Sequence, residues 1–437
     1  MRTRRIQPAT GPLNASVRIP GSKSITNRAM VIGALAGGVT TLDGALFSDD
    51  TEFMIDALRD LGVSLTADRD NHRIRIEGCG GHLPATEADL YCGNSGTTIR
   101  FLAAVCALGM GPYRLDGNDR MRQRPIGPLI DALRSAGVIA GYDEQEGYPP
   151  ITIREGMMRG ATIGMDSPPS SQYVSALLMA APCARGDVMI DVRGEVVSAP
   201  YLTMTTGLMD AFGVSVIEDV KPTGAKLIIP APQNYAGRDY TVEPDASNAS
   251  YFLAASAIAG GAVTVEGLGQ SSIQGDVGFV DVLERMGCTV ECEPNSLTVI
   301  GPQASSRLRG IDVDLQNMPD VAQTLAVVAL FADSPTNIRN VANLRIKETD
   351  RIAALAAELA KFGATVEERD DGWRIEPPAE PTPAAVDTYD DHRMAMSFAL
   401  AGLRIEGVEI RDPQCVNKTF PDFFDRFERL TDSGPSI

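Results

Sequence analysis

Histidine is scarce in this chain: three residues in 437, His72, His82 and His392, with no HxxxH pair. A structural zinc or a His-rich metal site is therefore not expected. The seven cysteines (Cys79, Cys92, Cys106, Cys183, Cys288, Cys292 and Cys415) are odd in number, scattered and without a CxxC pair. That spacing gives no disulfide framework, and buried reduced thiols are expected. The basic start MRTRRIQPATG leads into no apolar stretch of signal-peptide type, and no uninterrupted apolar run is long enough to span a bilayer. A cytosolic location is expected. Excess positive charge is missing too: 39 Lys and Arg face 57 Asp and Glu, a formal net charge of -18. This argues against nucleic acid and membrane as partners, since both need a broad basic field. Any anion must be held locally. The GxxxxGK[ST] spacing of a nucleotide loop is absent, and no Ser-His-Asp order or activated Cys is legible. ATP binding and covalent catalysis are thus unsupported.

What the chain has is apolar content and repetition. At 44% apolar, 437 residues suffice for two or three domains with full cores. Six times a short alternating segment runs into Ser, Asp or Asn, then into an apolar stretch of helical length, a Gly-rich or polar turn and a second strand. The helix starts are Ser24, Ser95, Ser171, Ser247, Asp320 and Asp391, a period of roughly 75 residues. Out of phase runs a second phrase, an apolar helix with a small cap: LRDLGV at Gly62, LRSAGV at Gly137, MDAFGV at Gly213, LERMGC at Gly287 and LAKFGA at Gly363.

Each repeat reads as strand, helix, strand, helix, strand, strand. In repeat one SVRIP is the first strand, a helix runs from Ser22 to Leu35, Gly37-Gly38 stops it, and TTLDG is the next strand. Repeat four gives YTVEP, ASYFLAASAIAG and VTVEG in the same places. The first helices are apolar nearly all round, which predicts α/β fragments with buried helices. Solenoid repeats of about 20 to 50 residues are shorter than this period. Two globes of three repeats are expected, with the break near Gly237 to Thr241.

Positive charge is unevenly placed over the repeats. First-helix starts carry Lys23 and Arg28 in repeat one, Arg100 in repeat two, and His392 with Arg393 in repeat six. Second-helix starts add Arg122 and Arg124 in repeat two, Lys347 and Arg351 in repeat five, and Lys418 in repeat six. Repeats three and four offer mainly neutral donors, Ser170, Ser171, Gln172, Ser247 and Asn248, and repeat four is read as structural. One Arg or Lys at a helix start can be a solvated charge. Repeated placement there opposes the helix dipole and calls for a compensating anion. Arg would grip phosphate or carboxylate with its planar fork, and Lys would add a compact charge. The Gly-rich YCGNSGTTIR reads either as an oxyanion cradle or as a plain helix cap. Asp320, in QNMPD, and Glu348, in KETDR, read either as cap and ion-pair partner or as general acid-base groups beside an anionic substrate.

Taken in order, GSKSITNRA, GNSGTTIRF, RMRQRPIGPL, PPSSQY, SAPY, NMPD, NLRIKETDR, DDHRMAM and NKTFPDFF resemble the 5-enolpyruvylshikimate-3-phosphate (EPSP) synthase family across nearly the whole chain. The resemblance implies an α/β fold, the two-domain inside-out α/β barrel of the enolpyruvyl transferases. It would have six βαβαββ repeats, three per domain, with helices inside, sheets outside and the active site in the interdomain cleft. Residues 21-239 would form the first domain, and 1-20 with 240-437 the second. The family reaction moves the enolpyruvyl group of phosphoenolpyruvate to the 5-hydroxyl of shikimate 3-phosphate and releases phosphate, by addition-elimination through a tetrahedral intermediate. It uses no cofactor and no metal, and family habit implies a monomer. By matching motif, Lys23, Ser24, Arg28, Ser170, Ser171, Gln172, Ser198, Tyr201, Asp320, Asn343 and Lys347 would bind shikimate 3-phosphate. Lys23, Gly96, Arg124, Gln172, Arg351, Arg393 and Lys418 would meet phosphoenolpyruvate. The family's catalytic groups would be Asp320, as base on the 5-hydroxyl, Glu348, as acid on the enol methylene, and Lys23, which would touch both substrates.

Three positions depart from residues frequent in the family, Thr98, Phe101 and Ala199. They leave open the subgroup and the response to glyphosate, which occupies the phosphoenolpyruvate site. The sister transferase acting on UDP-N-acetylglucosamine is an alternative; it usually has a reactive Cys in the loop of repeat two, whereas Gly111 to Pro125 has none. A non-catalytic scaffold for acidic metabolites is another, and it would leave Asp320 and Glu348 among the cations unexplained.

Overall fold

The computed structural model describes residues 2–194, 198–221, 223–303 and 306–431. The chain divides into two compact units: Gly21–Val242, and the residues up to Pro20 together with those from Glu243 onward.

In the first unit the apolar helix of each repeat is central. Ser22 has an extended backbone and its hydroxyl accepts the Ile25 N–H at 3.4 Å, so the helix begins at Lys23 and runs to Leu35, buried from Ile25 onward. Ser95 caps Gly96–Cys106 and Ser170 caps Ser171–Ala180 in the same way. These three helices pack on one another. An all-round apolar surface is what a helix surrounded by protein requires. Outside them lie four-stranded sheets. In repeat two the order is Ala88–Tyr91, Tyr113–Asp116, Ile151–Glu155, Ile139–Tyr142, the first pair parallel and the others antiparallel. Repeat three has the same pattern, with Ala161–Asp166 parallel to Val188–Arg193. The inward residues of Val188–Arg193 alternate with more exposed ones, so one sheet face covers the helices and the other meets water.

The repeat pattern alone puts SVRIP in the sheet of repeat one, but that sheet is completed by another strand. The parallel neighbour of Gly37–Asp43 is Asp239–Thr241, with Tyr240 opposite Leu42. The strand Leu13–Arg18, containing most of SVRIP, pairs instead with Gly261–Glu266 of repeat four, Val17 opposite Val265. The first strands of repeats one and four are thus exchanged. Both carry short alternating patterns that fit either sheet, and pairing partners far apart in sequence leave no local trace. The chain passes between units at Pro20/Gly21 and at Val242/Glu243.

The second unit has the same interior: Ala246–Ala259, capped by Asp245, packs with Ala322–Val328 and His392–Gly402. Repeat five starts with a tight turn, Pro319–Val321, which places Asp320 before the helix proper. Repeat six departs from the expected six-element order. Its strands Ala385–Val386 and Glu409–Arg411 are joined by the N-terminal strand Thr3–Arg5, and Phe423–Arg429 packs its rings against Phe252.

The out-of-phase phrase has a single structural cause. Gly62, Gly137, Gly213, Gly287 and Gly363 each follow a second helix with positive φ, between 83° and 110°. Val63 and Val138 then donate back to the carbonyls of Leu58 and Leu133, five residues earlier, closing the helix end. All seven cysteines are free, but not all are buried as expected: Cys292 is exposed on Thr289–Glu293, at a sheet edge, and Cys79 and Cys183 are half-buried. No helix among the described residues is long and apolar enough to cross a membrane.

Candidate active site

Within the first unit the N-terminal ends of the three central helices gather cations. Arg28, one turn into its helix, is 2% exposed. Its guanidinium donates to Thr205 Oγ1 at 2.8 Å, Ser175 Oγ at 3.1 Å and the Ser24 carbonyl at 3.1 Å, and lies over the rings of Phe101 and Tyr201. Every one of these partners is neutral. Burial pushes the Arg28 pKa down to about 10, opposed only by Tyr201. A desolvated cation of this kind is stabilised by any anion that reaches it.

Arg124, also buried, donates to the Asn94 carbonyl at 3.0 Å and to Asn94 Oδ1 at 3.2 Å, while its Nε is buried without a hydrogen-bond partner. A Cβ added at Gly96 would lie 2.5 Å from Arg124 Nη2, so glycine leaves the guanidinium its place. Gln172 joins repeats two and three: its Oε1 accepts from Arg100 at 2.5 Å and its Nε2 reaches Thr97 Oγ1 at 3.3 Å. Lys23 pairs with Asp50 at 3.2 Å. Ser170 accepts the Gln172 N–H at 3.3 Å, Ser171 starts the same helix, and Ser198 is buried with φ 57° before Tyr201. The three family departures sit in this network or beside it. Phe101 faces Arg28, Thr98 bonds the Ser95 hydroxyl at 2.8 Å and the Asp50 carbonyl at 3.3 Å, and Ala199 precedes the helix Pro200–Ala211.

The second unit builds a cluster of opposite character. Arg351 is 1% exposed and donates to Asp391 at 2.7 and 3.2 Å, to Glu348 at 2.8 Å and to Asp320 at 3.4 Å. Burial pulls its pKa down, but the carboxylates of Asp391, Glu348 and Asp320 outweigh that and hold it above the ordinary value. Arg393 reaches Asp320 Oδ2 at 3.1 Å and Tyr251 Oη at 3.3 Å. Lys347 lies 3.7 Å from Asp320, and Lys418 3.9 Å from Glu348. Asn343, in the turn before Lys347, has a buried Oδ1 with no hydrogen-bond partner. The structure therefore brings Asp320, Glu348, Lys347, Arg351, Arg393 and Lys418 into one network.

Some residues were misjudged or missed in the sequence. Arg122, one of the cations named at a second-helix start, pairs with Asp116 at 2.7 Å and Glu144 at 3.3 Å. Asp50, which holds Lys23, lies in no quoted motif, and Asp391, read as a helix start, also holds Arg351. In repeat four, Ser247 donates to the buried Asp276, and Asp245 caps the same helix. Cys106 is fully buried, and burial drives its thiol pKa well up, so it is core rather than nucleophile.

Comparison with known proteins gives one answer. A family model described as EPSP synthase (3-phosphoshikimate 1-carboxyvinyltransferase) matches residues 8–427. The chain is 48% identical to the 3-phosphoshikimate 1-carboxyvinyltransferase of Vibrio vulnificus, over 96% of this chain and 97% of that protein. It is 47% identical to the chloroplastic one of Arabidopsis thaliana, over 96% of this chain and 83% of the relative. Among solved structures, an Acinetobacter baumannii EPSP synthase superposes with a TM-score of 0.81 at 28% identity, covering 98% of each chain.

Proposed function

The chain belongs to the EPSP synthase family, and from that premise we propose that its two charged clusters are the binding and proton-transfer machinery of the family reaction. The enzyme transfers the enolpyruvyl group of phosphoenolpyruvate to shikimate 3-phosphate, in aromatic amino acid biosynthesis. Its fold is the two-domain enolpyruvyl transferase fold. The sister reaction on UDP-N-acetylglucosamine is not favoured.

Shikimate 3-phosphate is held by Lys23, Ser24, Arg28, Ser170, Ser171, Gln172, Ser198 and Tyr201, with Asp320, Asn343 and Lys347. Phosphoenolpyruvate is held by Lys23, Gly96, Arg124, Gln172, Arg351, Arg393 and Lys418. The observation that carries this reading is Arg28, a buried guanidinium whose hydrogen-bond partners are all neutral. Substrates that each bring a phosphate and a carboxylate supply what it lacks.

Asp320 takes the proton of the 5-hydroxyl as that oxygen attacks, and Glu348 protonates the enol methylene. Lys347, Arg351 and Arg393 surround the Asp320 carboxylate, a setting that suits the base role. Glu348 begins as a partner of Arg351 and Lys418. Phosphoenolpyruvate would meet the same two cations, Arg351 and Lys418, which brings its methylene to the Glu348 carboxyl. The tetrahedral adduct then loses phosphate by the reverse proton traffic, with the cations balancing the leaving charge. We take the enzyme to work as a cytosolic, cofactor-free monomer without nucleic-acid or membrane partners; its mass in solution tests the oligomeric part.

Mixing the protein with both substrates and following phosphate release tests the reading. Release is expected with shikimate 3-phosphate as acceptor. Release only with UDP-N-acetylglucosamine, or none with either, overturns it.

A further inference from the structure

Arg351 opens the helix Arg351–Lys361, and seven residues further along that helix Glu358 is completely buried. A spacing of seven is two turns, so both side chains leave one face, about 10 Å apart along the axis. The Glu358 carboxylate accepts the backbone N–H of Asp387 at 3.0 Å and the hydroxyl of Tyr389 at 2.8 Å, and Lys361 Nζ lies 2.7 Å from it. Four residues after Asp387 comes Asp391. Its carboxylate takes two hydrogen bonds from Arg351, at 2.7 and 3.2 Å, and caps the Arg393 N–H at 2.9 Å. One helix thus grips the segment 387–391 at both ends. Between the grips the backbone is left-handed at two consecutive residues that are not glycine, Tyr389 and Asp390, each with φ 55°. An aromatic residue rarely adopts that conformation, which persists only where its surroundings enforce it. The Tyr389 side chain, 43% exposed, has little packing to do so, and its hydroxyl is tied to Glu358 instead. Burial, then the bond to Glu358, pushes the Tyr389 pKa up to about 12, so the hydroxyl stays a donor at neutral pH.

Resting on Arg351 and Arg393 as phosphoenolpyruvate ligands, we propose that Glu358 is a positioning residue: by holding Asp387 and Tyr389 it fixes the left-handed turn that sets Asp391 against Arg351. Glu358 acts through Asp391. Without its two hydrogen bonds the turn relaxes toward ordinary backbone angles and Asp391 shifts. The Arg351 guanidinium then loses the bidentate contact that fixes its plane. The role is one of shape more than of charge. A glutamine in place of Glu358 keeps an acceptor for the Asp387 N–H and offers its amide to the Tyr389 oxygen. Lys361 then still has Asp387, at 2.8 Å.

The test is steady-state kinetics on three variants, each with its Tm. Glu358→Ala should raise the KM for phosphoenolpyruvate about tenfold, the scale of a displaced binding group. Its kcat should change little, because what is lost is binding shared by the ground and transition states. Glu358→Gln should return that KM to the parent value. Tyr389→Phe removes a single hydroxyl from a half-exposed ring, so it keeps the question open to measurement even where Glu358→Ala does not fold. It should raise the same KM about threefold, the worth of one hydrogen bond. A Glu358→Ala enzyme with a lowered Tm and an unmoved KM, or a Tyr389→Phe enzyme with the parent KM, makes Glu358 a structural group and overturns the proposal. So does a Glu358→Gln enzyme as impaired as Glu358→Ala. Arg351→Met separates this from the substrate assignment. If it leaves the KM for phosphoenolpyruvate unchanged, Arg351 is not a ligand and that assignment fails; if it raises the KM and Glu358→Ala does not, only the positioning role fails.

Discussion

The two clusters carry similar cations in opposite settings. In Gly21–Val242, Arg28 and Arg124 are buried among hydroxyls, carbonyls and an amide. In the other unit, Arg351 and Arg393 are tied to Asp320, Glu348 and Asp391. A buried cation with neutral partners is stabilised by any anion that reaches it, which in the proposed reading makes the first cluster the anion-binding one. A cation already compensated also fixes carboxylates in place, so in the proposed reading the second cluster both meets phosphoenolpyruvate and orients the proton-transfer groups. The same residue type thus does different work according to what surrounds it.

The sharpest test of that division is Asp320→Ala. Turnover should fall on the order of 100- to 10,000-fold, while calorimetry should find shikimate 3-phosphate binding retained; an equal loss of binding would make Asp320 a structural group. Next comes one substitution made in both clusters. Arg351→Met strands Asp391 and Glu348, and should cost about 3–5 kcal/mol in denaturant unfolding. Arg28→Met strands no carboxylate, so the substrate-free protein should be as stable or more so, while shikimate 3-phosphate binding weakens on the order of 100-fold. Matching stability losses would erase the distinction. A smaller effect is expected from Gly96→Ala, whose Cβ would meet Arg124 Nη2; displacing that guanidinium should raise the KM for phosphoenolpyruvate about tenfold. Smallest of all is Gly213→Ala, where nothing lies within 4 Å of the new Cβ and only the positive φ is strained. It should cost about 1–2 kcal/mol in Tm-derived stability and leave kcat/KM unchanged.

Most of the scaffold was legible because it is written locally. A cap such as Ser95 or Asp391, an apolar stretch and a closing glycine are each settled by a few neighbouring residues, and repetition made them louder. The cations were legible for the same reason, as charges placed against a helix dipole. Their partners were not. Asp50, Asp276 and Asp391 reach Lys23, Ser247 and Arg351 only through tertiary packing; the segment of Asp391 marks it as a cap but not as the partner of Arg351, and those of Asp50 and Asp276 mark neither. The repeat pattern by itself did not show the exchange of Leu13–Arg18 with Asp239–Thr241, because two short alternating strands fit either sheet and pairing is decided by the whole chain; only the family resemblance grouped residues 1-20 with those from 240 onward.

That exchange also sets a timetable for synthesis. Gly21–Val242 is continuous, so all of its sheets can be completed once Thr241 has left the ribosome. Leu13–Arg18 is made earlier than any of it, yet its partner begins at Gly261. A gap on the order of 250 residues corresponds to roughly 12–50 s at bacterial and eukaryotic elongation rates. Throughout that interval the strand is an unsatisfied edge, and Thr3–Arg5 waits longer still, for Glu409–Arg411. The nascent chain must therefore keep its own beginning from pairing wrongly while its middle folds. The alternation of Leu13, Ala15 and Val17 with the more polar Asn14, Ser16 and Arg18 limits how sticky that waiting edge can be.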